Sequence, residues 1–340
     1  MNFDMRSLSR AGLPAILLLA LGCGESEVPG GDDGSPTTSG VGSTSDGEGS
    51  DAADGDSDDT AADTTTGAAE TGATTGAEDC AAGAITISEL PDDAPPGFDA
   101  VFDRDASVWG LHIYATPSVG EAKLVHAVGV LGQYLDNDEN CEVDDPAVLA
   151  TLQGNRASIV MFATEAELEA NIGQLEGVFD QGYGLQDLYD AETHPDGAAQ
   201  GDFDASLEEV LHLVTHYGWS ETYPDVFGER DSAMAEAMDV ARGGHFESVP
   251  ASYPREAWYH YDDQTCDYEC MATEYFYWAL TSWLGGQDFG SRCNEIAIEW
   301  EACTPEQFET IDVAMHGLMT DRAYALPTVL PDGHYEPTAP

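Results

Sequence analysis

Two histidines lie four residues apart in the segment SLEEVLHLVTHYG. On a helix His212 and His216 project from one face, because residues i and i+4 are neighbours. A later run, TEYFYWALTSW, is apolar and aromatic except for Glu274, its only charged residue. Two imidazoles on one helix and a carboxylate on another can hold zinc with a fourth position open. The sequence therefore predicts a zinc site formed by His212, His216 and Glu274.

The composition of the surrounding helices supports this site but leaves alternatives open. Placed on a helical wheel, the histidine segment has one apolar side and one side that carries Glu208, Glu209, His212, Thr215 and His216. Such a polar side is also expected of any amphipathic helix, and Glu209 has a capping role to fill beside Ser206. A buried carboxylate needs a partner, which for Glu274 could be a metal, Arg242, Arg255 or a tyrosine hydroxyl.

An HxxxH pair followed by a glutamate on a later helix resembles the gluzincin branch of zinc metallopeptidases. The resemblance covers about residues 205 to 285. It implies a zincin-like fold, zinc bound by His212, His216 and Glu274, and hydrolysis of a peptide substrate. The family motif is HExxH, however, and Leu213 stands where the glutamate that acts as general base belongs. Glu208 or Glu209, one turn earlier, would have to replace that base.

The segment WYHYDD supplies further polar groups to such a site. By the same resemblance His260, Tyr259 or Tyr277 would stabilise an oxyanion, which makes His260 a third candidate catalytic residue beside Glu208 and Glu209. Together with Asp262 and Asp263, His260 could also act as a reserve ligand; the alternative is an ordinary turn. Without catalysis, the chain would be a non-enzymatic, calcium-stabilised binding protein or an inactive relative of the peptidases.

A second cation site is predicted in the segment YLDNDENCEVDDPAV. It resembles an EF-hand loop, which implies calcium bound by Asp136, Asp138, Asn140 and Asp144, oxygen ligands suited to this hard ion. Cys141 replaces the glycine of the motif, and Ala147 stands where a bidentate glutamate is usual. Calcium affinity should therefore be modest, and an acidic turn between helices is the alternative.

The N-terminal 79 residues are predicted to export and tether the protein. In residues 1–23, Arg6 and Arg10 precede an apolar run too short to span a membrane, as in a signal peptide. The ending ALGC resembles a bacterial lipobox, which implies lipidation of Cys23 and a membrane anchor at the outer membrane or cell surface. Residues 24–79 contain acids but no Lys or Arg and are predicted to be a disordered linker.

The charge and the cysteines limit the function of residues 80–340. A formal charge of −55 for the whole chain argues against a nucleic-acid partner, since phosphates are bound by Lys and Arg. Without Cys23, an even number of cysteines remains, which favours disulfides in an exported domain. Proximity in sequence favours Cys266–Cys270 and Cys293–Cys303, which leaves Cys80–Cys141. A cysteine-rich zinc cluster is the alternative, although no CxxC pair is present.

The order of predicted elements indicates an α+β domain, with a strand and helix half (80–200) and a helical half (201–340). Strands are predicted at 107–117 and 156–164, and capping boxes at Ser118, Thr164 and Ser206 begin helices, the first over the segment EAKLVHAVGVLGQYL. Thr304 starts the last helix, which should run towards Thr320. The second helix should end near Ile172, residues 173–203 should form a loop, and Gly218 should end the histidine helix. Further helices are predicted from the segments DSAMAEAMDVARGG and MATEYFYWALTSWLG.

Overall fold

A five-stranded mixed sheet forms the first part of the folded chain. The computed structural model describes residues 80–179 and 181–338. The strands are β1 (Thr86–Glu89), β2 (Arg104–Val108), β3 (Leu111–Ala115), β4 (Ser158–Phe162) and β5 (Leu185–Tyr189), in that spatial order. The pairs β1–β2 and β2–β3 are antiparallel, whereas β3–β4 and β4–β5 are parallel. The predicted signal peptide, Cys23 and the linker lie outside the described residues.

The segment predicted as a single strand at 107–117 is part of a hairpin. Trp109 and Gly110 have φ angles of 55° and 71° and form the turn between β2 and β3. Two adjacent residues with positive φ are typical of tight hairpin turns, because these match the twist of the strands. A continuous run of β-forming residues conceals this reversal in the sequence.

The predicted loop at 173–203 was also wrong in its first part. The helix before it continues to Phe179, and β5 follows with all five residues buried. Its sequence, LQDLY, places Gln186 and Asp187 inside the protein, so that it lacks the apolar pattern of a buried strand.

Twelve α-helices surround and extend the sheet in the described part of the chain. They are α1 (Glu121–Leu135), α2 (Pro146–Gly154), α3 (Glu165–Phe179), α4 (Gly197–Gln200), α5 (Ser206–Val214), α6 (Ser220–Thr222), α7 (Pro224–Phe227), α8 (Ala233–Ala241), α9 (Tyr268–Trp283), α10 (Arg292–Glu295), α11 (Pro305–Ile311) and α12 (Val313–Met319). This content confirms the α+β class. No helix in the described residues is long and apolar enough to span a bilayer.

The sheet separates two hydrophobic cores. The larger core takes residues such as Ile113, Ile159 and Leu188 from one face of the strands and continues through α1, α5, α8 and α9. The smaller core takes Tyr114 and Val160 from the opposite face and is completed by α3. Because successive strand residues point to opposite faces, the same strands supply both cores. The larger core joins α5 to α9, the two helices that carry the predicted metal ligands.

Helix caps differ from the prediction at two of the three predicted capping boxes. Gly120, not Ser118, is the N-cap of α1, and Ala205 precedes α5 while the Ser206 hydroxyl donates to Asp204. Thr304 begins α11, as predicted, and forms a capping box with Gln307. The last predicted helix is interrupted at Asp312, whose side chain caps α12 by accepting from the Met315 N–H.

Three disulfides link parts of the domain that the secondary structure does not connect. They join Cys80 to Cys141, Cys266 to Cys270 and Cys293 to Cys303. These are the pairings predicted from the sequence, and they also account for all six cysteines of the described residues. The long Cys80–Cys141 bridge ties the start of the domain to the acidic loop after α1.

Candidate metal centre

Helices α5 and α9 bring three potential metal ligands together. Glu208 and His212 lie four residues apart on α5 and therefore share a face, and Glu274 approaches them from α9. One ligand atom of each residue lies within 4.8 Å of the others, and the three residues are 4%, 1% and 1% exposed. The predicted contact between His212 and Glu274 is present, with Nε2 3.5 Å from Oε2. Among the described residues, this is the only such group of His, Cys, Asp or Glu.

The imidazole of His212 is buried with neither nitrogen hydrogen bonded within the described part of the chain. Nδ1 lies 3.5 Å from Glu209 Oε2, and Nε2 faces Glu274 at the same distance. Buried polar atoms without partners are rare in proteins because they lose their hydrogen bonds to water. A metal ion between Nε2 and the carboxylates would give this nitrogen a partner. The orphaned imidazole and the donor set thus fit a divalent cation.

Negative charge dominates the centre. Burial opposes protonation of His212, but Glu274 and Glu209 outweigh it and hold the pKa of the imidazole well above its ordinary value of 6.5. Burial raises the pKa of Glu209, and the charge of Glu274 adds to this rise while His212 opposes it. Both shifts reflect buried carboxylates close to a single ring. Such a group attracts a cation, whether a proton or a metal ion.

Strand β5 extends the acidic surroundings of the centre. Burial and the charge of Glu209 raise the pKa of Asp187 to about 7, and burial and the charge of Glu209 raise that of Glu192 to about 8. Gln186 from the same strand donates from Nε2 to Glu209 Oε2 at 2.6 Å. This bond orients Glu209, which therefore serves the centre and not the helix cap expected beside Ser206.

The structure does not bring His216 into the group of three ligands. Its Nδ1 contacts Glu229 Oε1, and its side chain is 32% exposed. Glu229 also accepts from the Thr273 hydroxyl at 3.0 Å. The reason is local: after Val214 the chain widens into a π-helical turn, Thr215–Trp219, which changes the direction of side chains relative to an α-helix. The chain also continues through Gly218, which was expected to end the helix.

Tyrosines border the Glu274 side of the centre. The Tyr261 hydroxyl donates to Glu274 Oε1 at 3.3 Å, and the Tyr277 ring meets the His212 ring edge-on with centroids 5.7 Å apart. Neither Arg242 nor Arg255 forms an ion pair with Glu274 in the described residues, which leaves the tyrosine as the observed alternative partner. The hydroxyl of Tyr259 donates elsewhere, to the Met271 carbonyl.

The segment WYHYDD lies beside the centre and is irregular, with Tyr259 in an isolated β-bridge to Trp300. His260 donates its backbone N–H to the Glu299 carbonyl, and its ring packs on Tyr253 with centroids 5.5 Å apart. Asp263 accepts hydrogen bonds from the backbone and hydroxyl of Thr265. His260, Asp262 and Asp263 are not part of the group of three ligands, and the role of His260 in oxyanion stabilisation stays a prediction.

The predicted calcium loop is held by its own hydrogen bonds. Asp136 is fully buried and accepts from the N–H groups of Asn140 and Cys141 and from the Tyr335 hydroxyl. Asp144 accepts from the backbone of Asn137. Asp136, Asp138 and Asp144 do not gather into a group of three ligand atoms. Cys141 has a φ of 71°, the conformation for which the EF-hand uses glycine, so that the loop shape is similar although the ligands are dispersed.

Glu208 is the potential ligand that the sequence pattern did not identify as such. The pairs Glu208–His212 and His212–His216 have the same spacing, and both lie on the polar side of α5. Only the pair Glu208–His212 lies within the regular α-helix, because the π-helical turn that contains His216 begins at Thr215. Comparison of the chain with protein-family models, with curated proteins and with solved structures gives no match.

Proposed function

We propose that this protein is a metal-dependent hydrolase with peptidase-like chemistry, whose zinc ion is held by Glu208, His212 and Glu274. One observation carries the proposal: three ligand atoms from two helices converge within 4.8 Å in the protein interior. Three protein ligands leave the fourth zinc position open, as in catalytic sites. Two carboxylates also balance the charge of a divalent ion without help from Lys or Arg.

The spacing of the residues on α5 supports this assignment. In the motif HExxH, two ligands four residues apart enclose a general-base glutamate directly after the first ligand. The segment Glu208–Glu209–Val210–Leu211–His212 has this spacing, with Glu208 in place of the first histidine. Glu209 then occupies the position of the base, and the apparent loss of the base at Leu213 disappears.

The residues around the centre have separate tasks in this proposal. Zinc in such a site acts as a Lewis acid and lowers the pKa of bound water to about 7. Glu209, whose pKa is raised by burial, would act as the general base. Gln186 fixes the orientation of Glu209, and Tyr261 holds Glu274. The burial of all these groups strengthens their electrostatic interactions.

The complete burial of the three ligands favours a second candidate, a non-enzymatic protein that a metal ion stabilises, since structural sites are closed to solvent. One experiment separates the candidates. The full chain is freed of metal, reloaded with zinc, cobalt or manganese, and assayed for metal affinity, melting temperature and hydrolysis of a mixed peptide library. Binding with hydrolysis that a chelator abolishes supports the hydrolase.

Glu209→Gln is the variant that tests catalysis in this experiment. It keeps all three ligands, so that the metal should remain bound while hydrolysis is lost. If metal binding raises the melting temperature of the parent protein but no hydrolysis is detected, the structural role is favoured. Absence of tight metal binding would overturn both candidates.

The location of the protein is a proposal from its N-terminal sequence. We infer that a lipid on Cys23 anchors the domain to a bacterial outer membrane or cell surface, at the end of the acidic linker. Incorporation of labelled fatty acid into the full chain, and its loss in Cys23→Ser, would support the anchor. Equal labelling of both proteins would contradict it.

A further inference from the structure

Arg242 directly follows α8 and is completely buried, with 0% of its surface exposed. Its Nη2 donates to the Phe246 carbonyl at 2.9 Å, but Nε and Nη1 have no hydrogen-bond partner among the residues the structure describes. No carboxylate of those residues lies within ion-pair distance of the guanidinium. The chain contains 65 acids and only 10 Lys and Arg, so an interior arginine without an acidic partner is unexpected.

Aromatic side chains surround this guanidinium. Its Cζ lies 5.3 Å from the centroid of the Phe246 ring and 5.7 Å from that of Tyr268. Rings at this distance stabilise a cation by their π faces but accept no hydrogen bond in the guanidinium plane. The hydroxyl of half-buried Tyr253 lies near the guanidinium: the charge of Arg242 and a hydrogen bond between the two side chains oppose the rise that burial gives to the pKa of Tyr253. That hydroxyl donates to the Tyr261 carbonyl.

The segment 243–247, which we call the lid, covers Arg242 and begins with two glycines. Gly243 and Gly244 have φ angles of 72° and 159°, a region that favours glycine. Phe246 contacts the guanidinium with its ring and its carbonyl. The N–H groups of Gly243 and Gly244 donate to the Val240 and Asp239 carbonyls, so the two glycines end α8 and the rest of the lid would move about them.

The outer side of the lid is held by exposed interactions. His245 contacts Asp239 at 2.8 Å and Glu247 at 3.0 Å, and Arg230 contacts Glu247 at 2.9 Å. The side chains of His245 and Glu247 are 52% and 64% exposed. Ion pairs at this exposure contribute little to stability. Opening of the lid would also break the hydrogen bond of Arg242 to the Phe246 carbonyl and the contact of the Phe246 ring with Tyr253, but Phe246 is not part of either hydrophobic core.

We propose that Arg242 anchors a site for a carboxylate group, which is reached when the lid moves away. The planar guanidinium matches a carboxylate through two parallel hydrogen bonds, and two of its nitrogens are unsatisfied. A single carboxylate would balance the single charge. The other base beside Tyr268 is Arg230, which is already paired with Glu269 and Glu247. A dianionic phosphate would thus find no second free cation beside Tyr268.

This site lies close to the metal centre but does not depend on it. Tyr253 donates to the Tyr261 backbone, and the Tyr261 hydroxyl donates to Glu274. The pKa of Tyr259, raised first by burial, responds to the charges of both Glu274 and Arg242. Where both sites are functional, the carboxylate belongs to the hydrolase's substrate. Where the metal centre is not catalytic, Arg242 still binds a carboxylate ligand.

Calorimetric titration of the full chain with paired peptides tests the proposal. The first pair is acetyl-trialanine with a free C-terminal carboxylate and its amide; the second is acetyl-Ala-Glu-Ala-amide and its glutamine counterpart. A chelator is present, so that metal ions do not bind the carboxylates. We expect at least one acidic peptide to bind about tenfold or more tightly than its neutral partner, because charge-assisted bidentate bonds are strong. The pair that responds identifies the source of the carboxylate.

Variants assign this preference to Arg242. Arg242→Gln should abolish the preference for the acidic peptide, whereas Arg255→Gln, which changes an exposed arginine nearby, should retain this preference. Arg242→Lys keeps the charge without the planar fork and should reduce it. Phe246→Ala should strengthen binding by removing part of the lid. Equal affinity for both members of each pair in the parent protein would overturn the proposal, as would a preference that persists in Arg242→Gln. If Arg242→Gln does not fold, unchanged preference in Arg242→Lys together with unchanged affinity in Phe246→Ala would overturn it.

Discussion

Replacement of Glu208 and of His216, each by glutamine, distinguishes two alternative ligand sets on α5. Both residues lie four positions from His212, on opposite sides of it in sequence. Glu208 belongs to the group of three converging ligands, while His216 contacts Glu229 beyond the π-helical turn. We expect Glu208→Gln to lose metal affinity and His216→Gln to keep it.

The size of the expected loss follows from the number of ligands. Structural sites with four ligands bind zinc with a free energy of about 10–16 kcal/mol, or about 3 kcal/mol for each ligand. Loss of Glu208 should therefore weaken zinc binding by a factor of about 100 or more. His216 is outside the group, and its substitution should change the free energy of zinc binding by no more than about 0.5 kcal/mol, or about twofold in affinity.

Competition between the metal-free full chain and a chromogenic chelator for zinc measures both affinities. Cobalt absorption in the visible region reports the same ligands independently. Thermal unfolding without metal is the control: Glu208→Gln keeps the size and shape of the side chain, so its melting temperature should stay close to that of the parent. A loss of affinity confined to His216→Gln, with Glu208→Gln unaffected, would refute the proposed ligand set.

Three further outcomes follow from other parts of the fold. Burial and the charge of Glu274 raise the pKa of Glu299 from 4.5 to about 8; folding therefore takes up a proton between these pH values, and stability should fall as pH rises through this interval. Urea unfolding of the metal-free protein at several pH values measures the free energy of unfolding. If this free energy falls with pH as steeply in Glu299→Gln as in the parent, the prediction is contradicted. Removal of the Cys80–Cys141 disulfide, with a sequence separation of 61, should cost ~4 kcal/mol, against ~2 kcal/mol for Cys266–Cys270, with a separation of 4. Double serine variants compared by denaturant unfolding test this order, and a larger loss for the short bridge would reverse it. Asp136→Asn should destabilise the domain equally with and without calcium, since its carboxylate already accepts three hydrogen bonds; melting curves that differ only when calcium is present would restore the predicted calcium site.

The elements predicted well from the sequence are those with strong local signals. The apolar spacing and length of α1 match its observed bounds, Glu121–Leu135, and β4 reads as a continuous buried strand. The disulfide pairings followed from proximity along the chain. In each case neighbouring residues contain the information, so no knowledge of the tertiary structure is needed.

Elements defined by tertiary contacts were harder to predict. Strand β5 contains Gln186 and Asp187, whose burial is favoured by polar partners on α5 and on the strand itself, such as Glu209 and Tyr189. Local hydrophobicity cannot indicate such a strand. The β2–β3 hairpin likewise depends on a turn at Trp109–Gly110, in which a bulky residue adopts a positive φ that its type does not favour.

The same distinction explains the difference between the predicted and observed ligands. Spacing on a helix establishes only that Glu208, His212 and His216 are candidates for one face. Which pair is used depends on the position of Glu274 on α9 and on the widened turn after Val214, neither of which can be inferred from spacing. Histidine is the more familiar zinc ligand, so the sequence favoured His216 over Glu208.

The charge of the centre gives an independent reason to expect a cation. Glu208, Glu209 and Glu274 lie around one imidazole, and Glu209 and Glu274 form no ion pair with Lys or Arg in the part of the chain that the structure describes. A protonated His212 would balance only one of these two carboxylates if both were ionised, and buried unbalanced charge is strongly unfavourable. Protons on the acids would reduce the charge but leave His212 without well-formed hydrogen bonds. A divalent ion supplies two positive charges and a ligand bond to the imidazole, and therefore resolves both problems with one atom.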